Sequence, residues 1–166
     1  FTVKKKEIDI DKTIKSLRPF LVNYHIPIEF RNLQKTLSSE QRYELRGNTK
    51  LSEAIFGIKF PKKNKNDYYF WDNTTLSLWE YLNEVPILKN KSIKIVELGC
   101  GPYATISLAL KNKYPYLNII SSDILYDRVK NAKKVATLNK IKIEIIQSDL
   151  LSNIDLQTEL IFMNPP

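Results

Sequence analysis

The amino-acid sequence predicts an α/β protein in which a parallel sheet follows a mainly helical N-terminal region. Three observations support this fold class. Strand and helix patterns alternate from about residue 91 onward, which is typical of a parallel sheet with crossover helices. Two glycines one residue apart follow the first of these strands. Before residue 90, glycine is rare and apolar residues recur at helical spacing, so the chain divides near that point.

The N-terminal region is predicted to contain short helices separated by turn residues. Capping residues and apolar spacing indicate residues 11–21 with Asp11 as cap, residues 38–46 after Ser38, a turn at 52–55, and a helix that opens at Thr74 or Thr75. Gly47 and Gly57 are expected to end two of these segments. Pro27 is expected to interrupt the helical structure between the first two.

The α/β region is predicted to have four strands with helices between the first three. The strands are expected at residues 93–97, 118–123, 141–146 and 160–163, and the helices at residues 103–113 and 126–139. The strand segments are rich in isoleucine and are bounded by polar residues or glycine. Because crossovers between parallel strands are right-handed, we expect helices on both faces of the sheet.

Polar residues stand at the carboxyl end of every predicted strand. Glu97 ends the first strand and Asp123 the second, while Asp149 and Asn164 follow the third and fourth. Ligands of open parallel sheets bind outside these ends. One acidic strand end is ordinary for a solvated terminus, but four polar ends at matching points predict a functional site.

The stretch VELGCGPYA, residues 96–104, indicates which ligand the site holds. Its Gly99-x-Gly101-x-x-Ala104 spacing matches dinucleotide-binding turns, and Asp123 follows at about the 20-residue distance expected of a ribose-binding acid. A nicotinamide dinucleotide is therefore one candidate. Glu97 disfavours it, because a carboxylate there would lie near a pyrophosphate of like charge. S-adenosylmethionine, which carries an ammonium, a sulfonium and a ribose, suits these residues better.

On these motifs the sequence resembles the class I S-adenosylmethionine-dependent methyltransferases over about residues 70–166. VELGCGPYA is similar to their first motif, SSDI to the second and QSDLL to the third. The resemblance implies a Rossmann-like methyltransferase fold, of which four strands are present here and the C-terminal strands are missing from this chain. It also implies a methyltransferase core at residues 71–166, with residues 1–70 as a helical substrate-recognition region.

The same resemblance assigns cofactor contacts to individual residues. Glu97 would hold the loop or the methionine amino group, Asp123 the ribose, and Asp149 with Leu150 the adenine. The remaining expected contacts come from the glycine turn, the segment before it and the residue after Asp123: Gly99, Cys100, Gly101, Tyr103, Phe70, Thr75 and Ile124. Core packing of Phe70 and helix capping by Thr75 are the alternatives for those two residues.

Asn164-Pro165-Pro166 follows the fourth strand and resembles the N-P-P-aromatic motif of methyltransferases that act on planar nitrogens. The lone pair of such a conjugated nitrogen is a poor nucleophile. The resemblance implies that the side-chain oxygen of Asn164 and the carbonyl of Pro165 each accept one N–H, while in-line positioning supplies the rest. We therefore expect Asn164, Pro165 and Pro166 to be catalytic, although the tripeptide alone is also a common turn.

Composition bears on partners and location. The 166 residues carry a net charge of +8, which favours nucleic acid as a partner, although a lysine-rich solvated surface gives the same charge.

One cysteine excludes an internal disulfide, and neither an apolar signal core nor a membrane-spanning run is visible, so we expect a cytoplasmic protein without a membrane partner. His25 has no His or Cys neighbours, so no metal site is expected. The sequence leaves the oligomeric state open.

Four functions stay open at this point. The favoured one is an N-methyltransferase acting on adenine N6 in RNA or DNA, with RNA preferred because basic and aromatic residues adjoin in the stretch Lys59–Trp71. The second is a glutamine N5-methyltransferase acting on a release factor. The third is a nicotinamide-dependent oxidoreductase. The fourth is a non-catalytic nucleic-acid-binding subunit, which the polar strand ends and Asn164 disfavour, because such a subunit need not retain them.

Overall fold

A four-stranded parallel sheet forms the centre of the α/β region. In the computed structural model, which describes residues 7–63, 67–91, 93–154 and 157–165, the strands lie in the order β3-β2-β1-β4. They are β1 (Lys94–Leu98), β2 (Asn118–Asp123), β3 (Glu144–Gln147) and β4 (Leu160–Met163). Every neighbouring pair is parallel, which confirms the predicted fold class and brings the carboxyl ends of the strands to one edge.

Helices pack against this sheet and make up most of the N-terminal region. They are α1 (Ile10–Leu21), α2 (Ile28–Thr36), α3 (Ser39–Arg46), α4 (Thr49–Phe56), α5 (Asn73–Glu84), a short 3₁₀ helix (Pro86–Lys89), α6 (Thr105–Lys113) and α7 (Tyr126–Leu138). Within the described ranges, none of them has the length and apolar character needed to cross a lipid bilayer.

The observed bounds of the strands and helices agree with the predicted bounds where capping residues or a run of strand-forming residues mark them. β2 and β4 have their predicted bounds, while β1 is displaced by one residue and β3 begins at Glu144 rather than residue 141. α3 begins at the predicted capping box, in which Gln41 N donates to Ser38 Oγ at 3.2 Å and Ser38 N donates to Gln41 Oε1 at 3.0 Å. Such reciprocal bonds satisfy two amides of the first helical turn, and this fixes where the helix starts.

Two helix caps were predicted at the wrong residue. α1 is capped by Asp9 rather than Asp11, and Asp9 Oδ1 accepts from Lys12 N at 2.9 Å. α5 is capped by Asp72 rather than by either of the two threonines that follow it. In both cases an aspartate precedes the predicted start, and its carboxylate is a strong acceptor for the free amides of the first turn.

The N-terminal region is more helical than its sequence indicated. α2 is absent from the predicted helices. Pro27, which is expected to interrupt helical structure, is instead the N-terminal cap of that helix. A proline at a helix start loses no hydrogen bond, because amides there have no partner in the helix. α4 extends well beyond the predicted turn, from a cap in which Asn48 Oδ1 accepts from Leu51 N at 3.0 Å to Gly57 with φ of 71°.

The two faces of the sheet are covered differently. One face of the sheet packs into the large hydrophobic core that includes residues of α6 and α7. The strand residues that this face contributes to the core are Ile95, Ile119, Ile145 and Phe162. The other face carries a small cluster of Val96, Leu98, Ile120 and Ile154. In the described part of the chain no helix residue belongs to this small cluster, so the expectation of helices on both faces is wrong there. Both crossovers step in the same direction, from β1 to β2 to β3, and right-handedness then puts α6 and α7 on one face.

The N-terminal helices and the sheet share a single hydrophobic core. Leu17 of α1 and Leu45 of α3 belong to the same buried cluster as Ile95 of β1. The link is tight around residues 70–71, where the buried indole N–H of Trp71 donates to Ser52 Oγ of α4 at 2.8 Å. The helices are therefore positioned relative to the sheet by buried contacts.

We predict that Ser52→Ala lowers the free energy of unfolding by about 1–3 kcal/mol, because it leaves the buried indole N–H of Trp71 without an acceptor. The sheet should lose stability with the helices, since both belong to one core. Urea unfolding followed by circular dichroism, with amide hydrogen exchange in β1 and β2, measures both effects.

Ser16→Ala is the matched control, because this serine also lies in a helix and bonds a backbone carbonyl of the preceding turn but is exposed. Its effect should stay within about 0.5 kcal/mol. Unchanged exchange in β1 and β2 of Ser52→Ala would contradict the shared core.

Candidate active site

The turn from β1 into α6 exposes bare backbone at the edge of the sheet. Gly99 and Gly101 both have φ of 66°, a left-handed conformation that is strained for residues with a side chain. A Cβ placed on either glycine would meet no protein atom within 4 Å. The glycine side of the turn therefore faces open space, where a ligand can approach the main chain.

This turn forms one wall of a cavity of about 360 Å³ at the carboxyl edge of the sheet. The residues singled out by the sequence that line it are Phe70, Thr75, Glu97, Gly99, Cys100, Gly101, Tyr103, Asn164 and Pro165. They come from the segment before α5 and the first turn of that helix, from the ends of β1 and β4, and from the glycine turn itself. The structure thus brings Asn164, Pro165 and the glycine-turn residues to one cavity.

Asp123 lies behind the turn and does not line the cavity. Its side chain is only 2% exposed. One carboxylate oxygen accepts from Gly101 N at 2.9 Å and the other accepts from Leu125 N at 3.0 Å. Arg128 Nη1 lies 3.8 Å from the first of these oxygens. Asp123 thus fixes the shape of the glycine turn, and a ribose contact would have to use the lone pairs that these bonds leave.

Glu97 lines the inner end of the cavity on the face of the sheet that α6 covers. It is 3% exposed, and its Oε2 accepts a hydrogen bond from Ser107 Oγ of α6. Burial raises the pKa of Glu97 from 4.5 to about 7, although the bond from Ser107 acts in the opposite direction. The carboxyl group is therefore poised between its two protonation states near neutral pH, and a cation in the cavity would favour the charged state.

Asn164 is oriented by the cap of α5. Its Nδ2 donates to Thr75 Oγ1 at 2.9 Å, and Thr75 Oγ1 is also 2.8 Å from Asp72 Oδ1. Burial acts to raise the pKa of Asp72, but hydrogen bonds from Thr74 and Thr75 hold it below its ordinary value of 3.8. Asp72 is thus a carboxylate that only accepts.

This cap determines which end of the Asn164 amide faces the cavity. The hydroxyl of Thr75 has one hydrogen, and it goes to the carboxylate of Asp72 as the stronger acceptor. Toward Asn164 the hydroxyl can then only accept, so the amide must turn its NH₂ group to Thr75. The Oδ1 atom of Asn164 is left as a free acceptor at the cavity.

Phe70, Tyr103 and Cys100 are structural parts of the cavity wall. The ring of Phe70 packs between Phe60 at 4.6 Å and Tyr103 at 4.9 Å between centroids. Burial raises the pKa of Tyr103 to about 12, so its hydroxyl stays neutral and donates to Tyr68 O at 2.9 Å. Burial, with the carboxylates of Glu97 and Asp123, raises the pKa of Cys100; its thiol therefore stays protonated and unsuited to nucleophilic attack.

Three further predicted site residues lie elsewhere. Ile124, Asp149 and Leu150 are exposed on the loops that follow β2 and β3, outside the cavity wall. The two loops are joined where Ser148 N donates to Asp123 O at 3.1 Å. Pro166 lies outside the described residues.

The structure adds three residues to the site that the sequence did not indicate. Arg128 pairs with Asp123, Ser107 bonds Glu97, and Asp72 fixes the hydroxyl of Thr75. Asp72 was detectable as a possible cap three residues before a threonine. Arg128 and Ser107 carried no signal, because each lies inside a helix and meets its partner only through the fold.

His25 lies away from this cavity, with its Nδ1 3.1 Å from Glu80 Oε1. Over the described ranges, no three side chains of His, Cys, Asp or Glu are grouped in a way that would hold a metal ion.

Comparison with known proteins identifies similar sequences for the region that carries this site. The family model of the methyltransferase small domain matches residues 71–166. The match includes α5, the glycine turn and the Asn164 end of β4. It covers more than half of the chain.

Curated relatives are similar over shorter stretches. An uncharacterized protein of Mycoplasma pneumoniae, a homolog of MG259, is 32% identical over 84 residues, which are 48% of this chain and 18% of that protein. The ribosomal RNA small subunit methyltransferase C of Pasteurella multocida is 32% identical over 73 residues, 44% of this chain and 22% of that protein. The chain therefore matches about a fifth of the length of each of these relatives.

Solved structures show the same fold. The N-terminal domain of human METTL16 in complex with SAH is 16% identical, with a TM-score of 0.56 over 98% of this chain and 66% of that chain. The TM-score at this low identity shows a shared fold alone.

We predict that Glu97 makes folding stability fall as the pH rises. Its pKa in the folded chain is about 7 against 4.5 ordinarily, so the folded state binds the proton more tightly. The free energy of unfolding is then unaffected by Glu97 below about pH 4.5, decreases between 4.5 and 7, and is reduced by about 3 kcal/mol above 7. Glu97→Gln should remove this dependence.

Urea unfolding of the unaltered chain and of Glu97→Gln at pH 5 and pH 8 measures this pH dependence. The contributions of other titrating groups to stability cancel in the difference between the two proteins. Equal losses of stability in both proteins would contradict the role of Glu97.

Proposed function

The chain belongs to the methyltransferase small domain family, and from this premise we propose that it methylates a planar amino or amide nitrogen, with the N6 amino group of adenine in RNA as the favoured target. The observation that carries the proposal is the orientation of Asn164, whose free amide oxygen lies at the cavity lined by the glycine turn. The family match gives no support to the oxidoreductase alternative.

The residues around the cavity suit S-adenosylmethionine, which supplies an electrophilic methyl group on a sulfonium. Gly99 and Gly101 offer bare backbone to the cofactor. Glu97 is a carboxyl group of the cavity wall that can pair with an ammonium. We assign the adenine to the rim beside the glycine turn, where Ile124 and Leu150 are 55% and 61% exposed and Asp149 adds an acceptor.

Asn164 would act directly on the nitrogen that is methylated. Its Oδ1 accepts one N–H, and the carbonyl of Pro165 accepts the second, so the nitrogen lone pair is aimed at the methyl carbon. Formation of the nitrogen–carbon bond would be balanced by cleavage of the donor's carbon–sulfur bond, whose electron pair would stay on sulfur. The positive charge then passes to the nitrogen, which Oδ1 stabilises until a proton leaves to water. The role of Pro166 stays a prediction.

Nucleic acid is favoured over a protein substrate by charge and by the relatives. The net charge of +8 suits a polyanion, and one relative is named as a ribosomal RNA methyltransferase. The N-terminal helices, residues 1–70, would then contribute to substrate recognition. A release-factor glutamine is the alternative target, because its side-chain amide presents the same two N–H groups to Asn164. A cytoplasmic location, where either substrate is found, stays a prediction.

The test is methyl transfer from radiolabelled S-adenosylmethionine to single-stranded RNA and to a glutamine-containing release-factor peptide. We expect RNA to be labelled at adenine N6. Asn164→Ala should reduce turnover by about 100-fold or more, as expected for losing an oriented acceptor of the transition state, while binding of S-adenosylhomocysteine is retained.

Two substitutions of Thr75 separate orientation from packing. Thr75→Ser keeps the hydroxyl and should retain turnover, whereas Thr75→Val keeps the shape, releases the amide of Asn164 and should lower kcat more than it raises KM. Labelling of the peptide alone would move the function to glutamine methylation. Full turnover in Asn164→Ala would overturn the assigned chemistry.

A further inference from the structure

We propose that Tyr68 and Tyr69 form a platform on which bases of single-stranded RNA stack at the entrance of the cavity. This inference rests on the proposed function, because it names the surface by which an RNA strand would reach Asn164. We refer to the two rings as the tyrosine platform.

Both rings are exposed beside the catalytic end of the cavity. Tyr68 is 59% exposed and Tyr69 is 40% exposed. Both line the same cavity as Asn164 and Pro165. Two adjacent large rings at the entrance of a cavity provide faces that a base can cover, and each stacked base adds appreciable affinity without requiring a particular sequence.

A guanidinium accompanies each ring of the platform. Arg128 Cζ lies 5.2 Å from the ring centroid of Tyr68, and Arg46 Cζ lies 5.6 Å from that of Tyr69. These cation–π contacts hold the rings in place and put positive charge next to them. A base on the ring and its phosphate near the guanidinium would satisfy both groups at once.

The backbone beneath the platform is anchored on both sides. Tyr103 Oη donates to Tyr68 O at 2.9 Å. Phe70 N donates to Arg46 O at 3.1 Å, and Phe70 O accepts from Thr105 Oγ1 at 2.9 Å. The rings therefore project from a fixed main chain, so little conformational entropy is lost when a base stacks on them.

The platform continues into a further aromatic and basic pair. The ring of Tyr43 meets that of Tyr69 edge to face, with centroids 6.4 Å apart. Lys63 Nζ lies 3.1 Å from the ring centroid of Tyr43, and Lys62 beside it is exposed. Rings and cations thus continue from the platform to Tyr43, where Lys63 Nζ is buried against the ring and Lys62 is the exposed cation available to a phosphate.

A peptide matches this surface less well than RNA does. A glutamine side chain has no aromatic face for either ring, and its neighbours need not carry the negative charges that Arg46 and Arg128 would attract. Unpaired bases supply both features in every nucleotide, whereas paired bases in a duplex have no free face. Single-stranded RNA is therefore the partner that the platform favours.

Fluorescence anisotropy with a labelled single-stranded oligoadenylate tests the platform without requiring turnover. Tyr69→Leu and Tyr68→Leu should each weaken binding by about 5- to 100-fold, the loss expected for one stacked base. Tyr69→Phe keeps the ring and should retain binding. Tyr81→Leu is the matched control, because Tyr81 is 64% exposed on α5 and does not line the cavity.

An abasic oligomer of equal length separates stacking from charge, and thermal unfolding verifies that each variant folds. Equal losses for both oligomers, or unchanged affinity in both leucine variants, would overturn the platform, and so would binding of the glutamine peptide in place of RNA. Ring-dependent RNA binding without any methyl transfer by the unaltered chain would support the platform and contradict the proposed function instead.

Discussion

The site depends on one buried carboxylate, that of Asp123, which must find partners because it is shielded from water. Its two oxygens accept the amides of Gly101 and Leu125, and Arg128 approaches at 3.8 Å. The first bond holds the glycine turn open toward the cavity, and the second fixes the loop that leads into α7. Arg128 extends the same network to the ring of Tyr68. An uncompensated charge at this depth would be costly, so these elements are held together.

The cavity is assembled from distant parts of the chain by a second network. Asp72 and Thr75 belong to the first turn of α5, and Asn164 follows β4. The hydroxyl of Thr75 joins them, and since its hydrogen is committed to Asp72, the amide of Asn164 has only one favourable orientation. Helix capping, usually a matter of stability, here also determines which atom faces the substrate.

The sequence predicted those parts of the site that short local patterns encode, such as polar residues at strand ends and closely spaced glycines. Polar strand ends predicted that Glu97 and Asn164 would meet at one edge of a parallel sheet, and the two glycines predicted the exposed turn. It was uninformative where contacts depend on the fold. The hydrogen bond from Gly101 N to Asp123 and the one from Ser107 to Glu97 depend on how α6 and β2 pack. The spacing of residues in the sequence does not specify this packing. In the part of the chain that the structure describes, helices cover one face of the sheet because of the strand order, which was also not visible in the sequence.

The central claim is that this cavity holds S-adenosylmethionine and not a nicotinamide dinucleotide, and calorimetric titration of the purified chain tests it most directly. We expect that S-adenosylhomocysteine, the product form of the cofactor, binds at one site and that NADH produces no heat of binding. Binding of NADH alone would contradict the account, because a pyrophosphate would then be accepted beside the carboxyl group of Glu97.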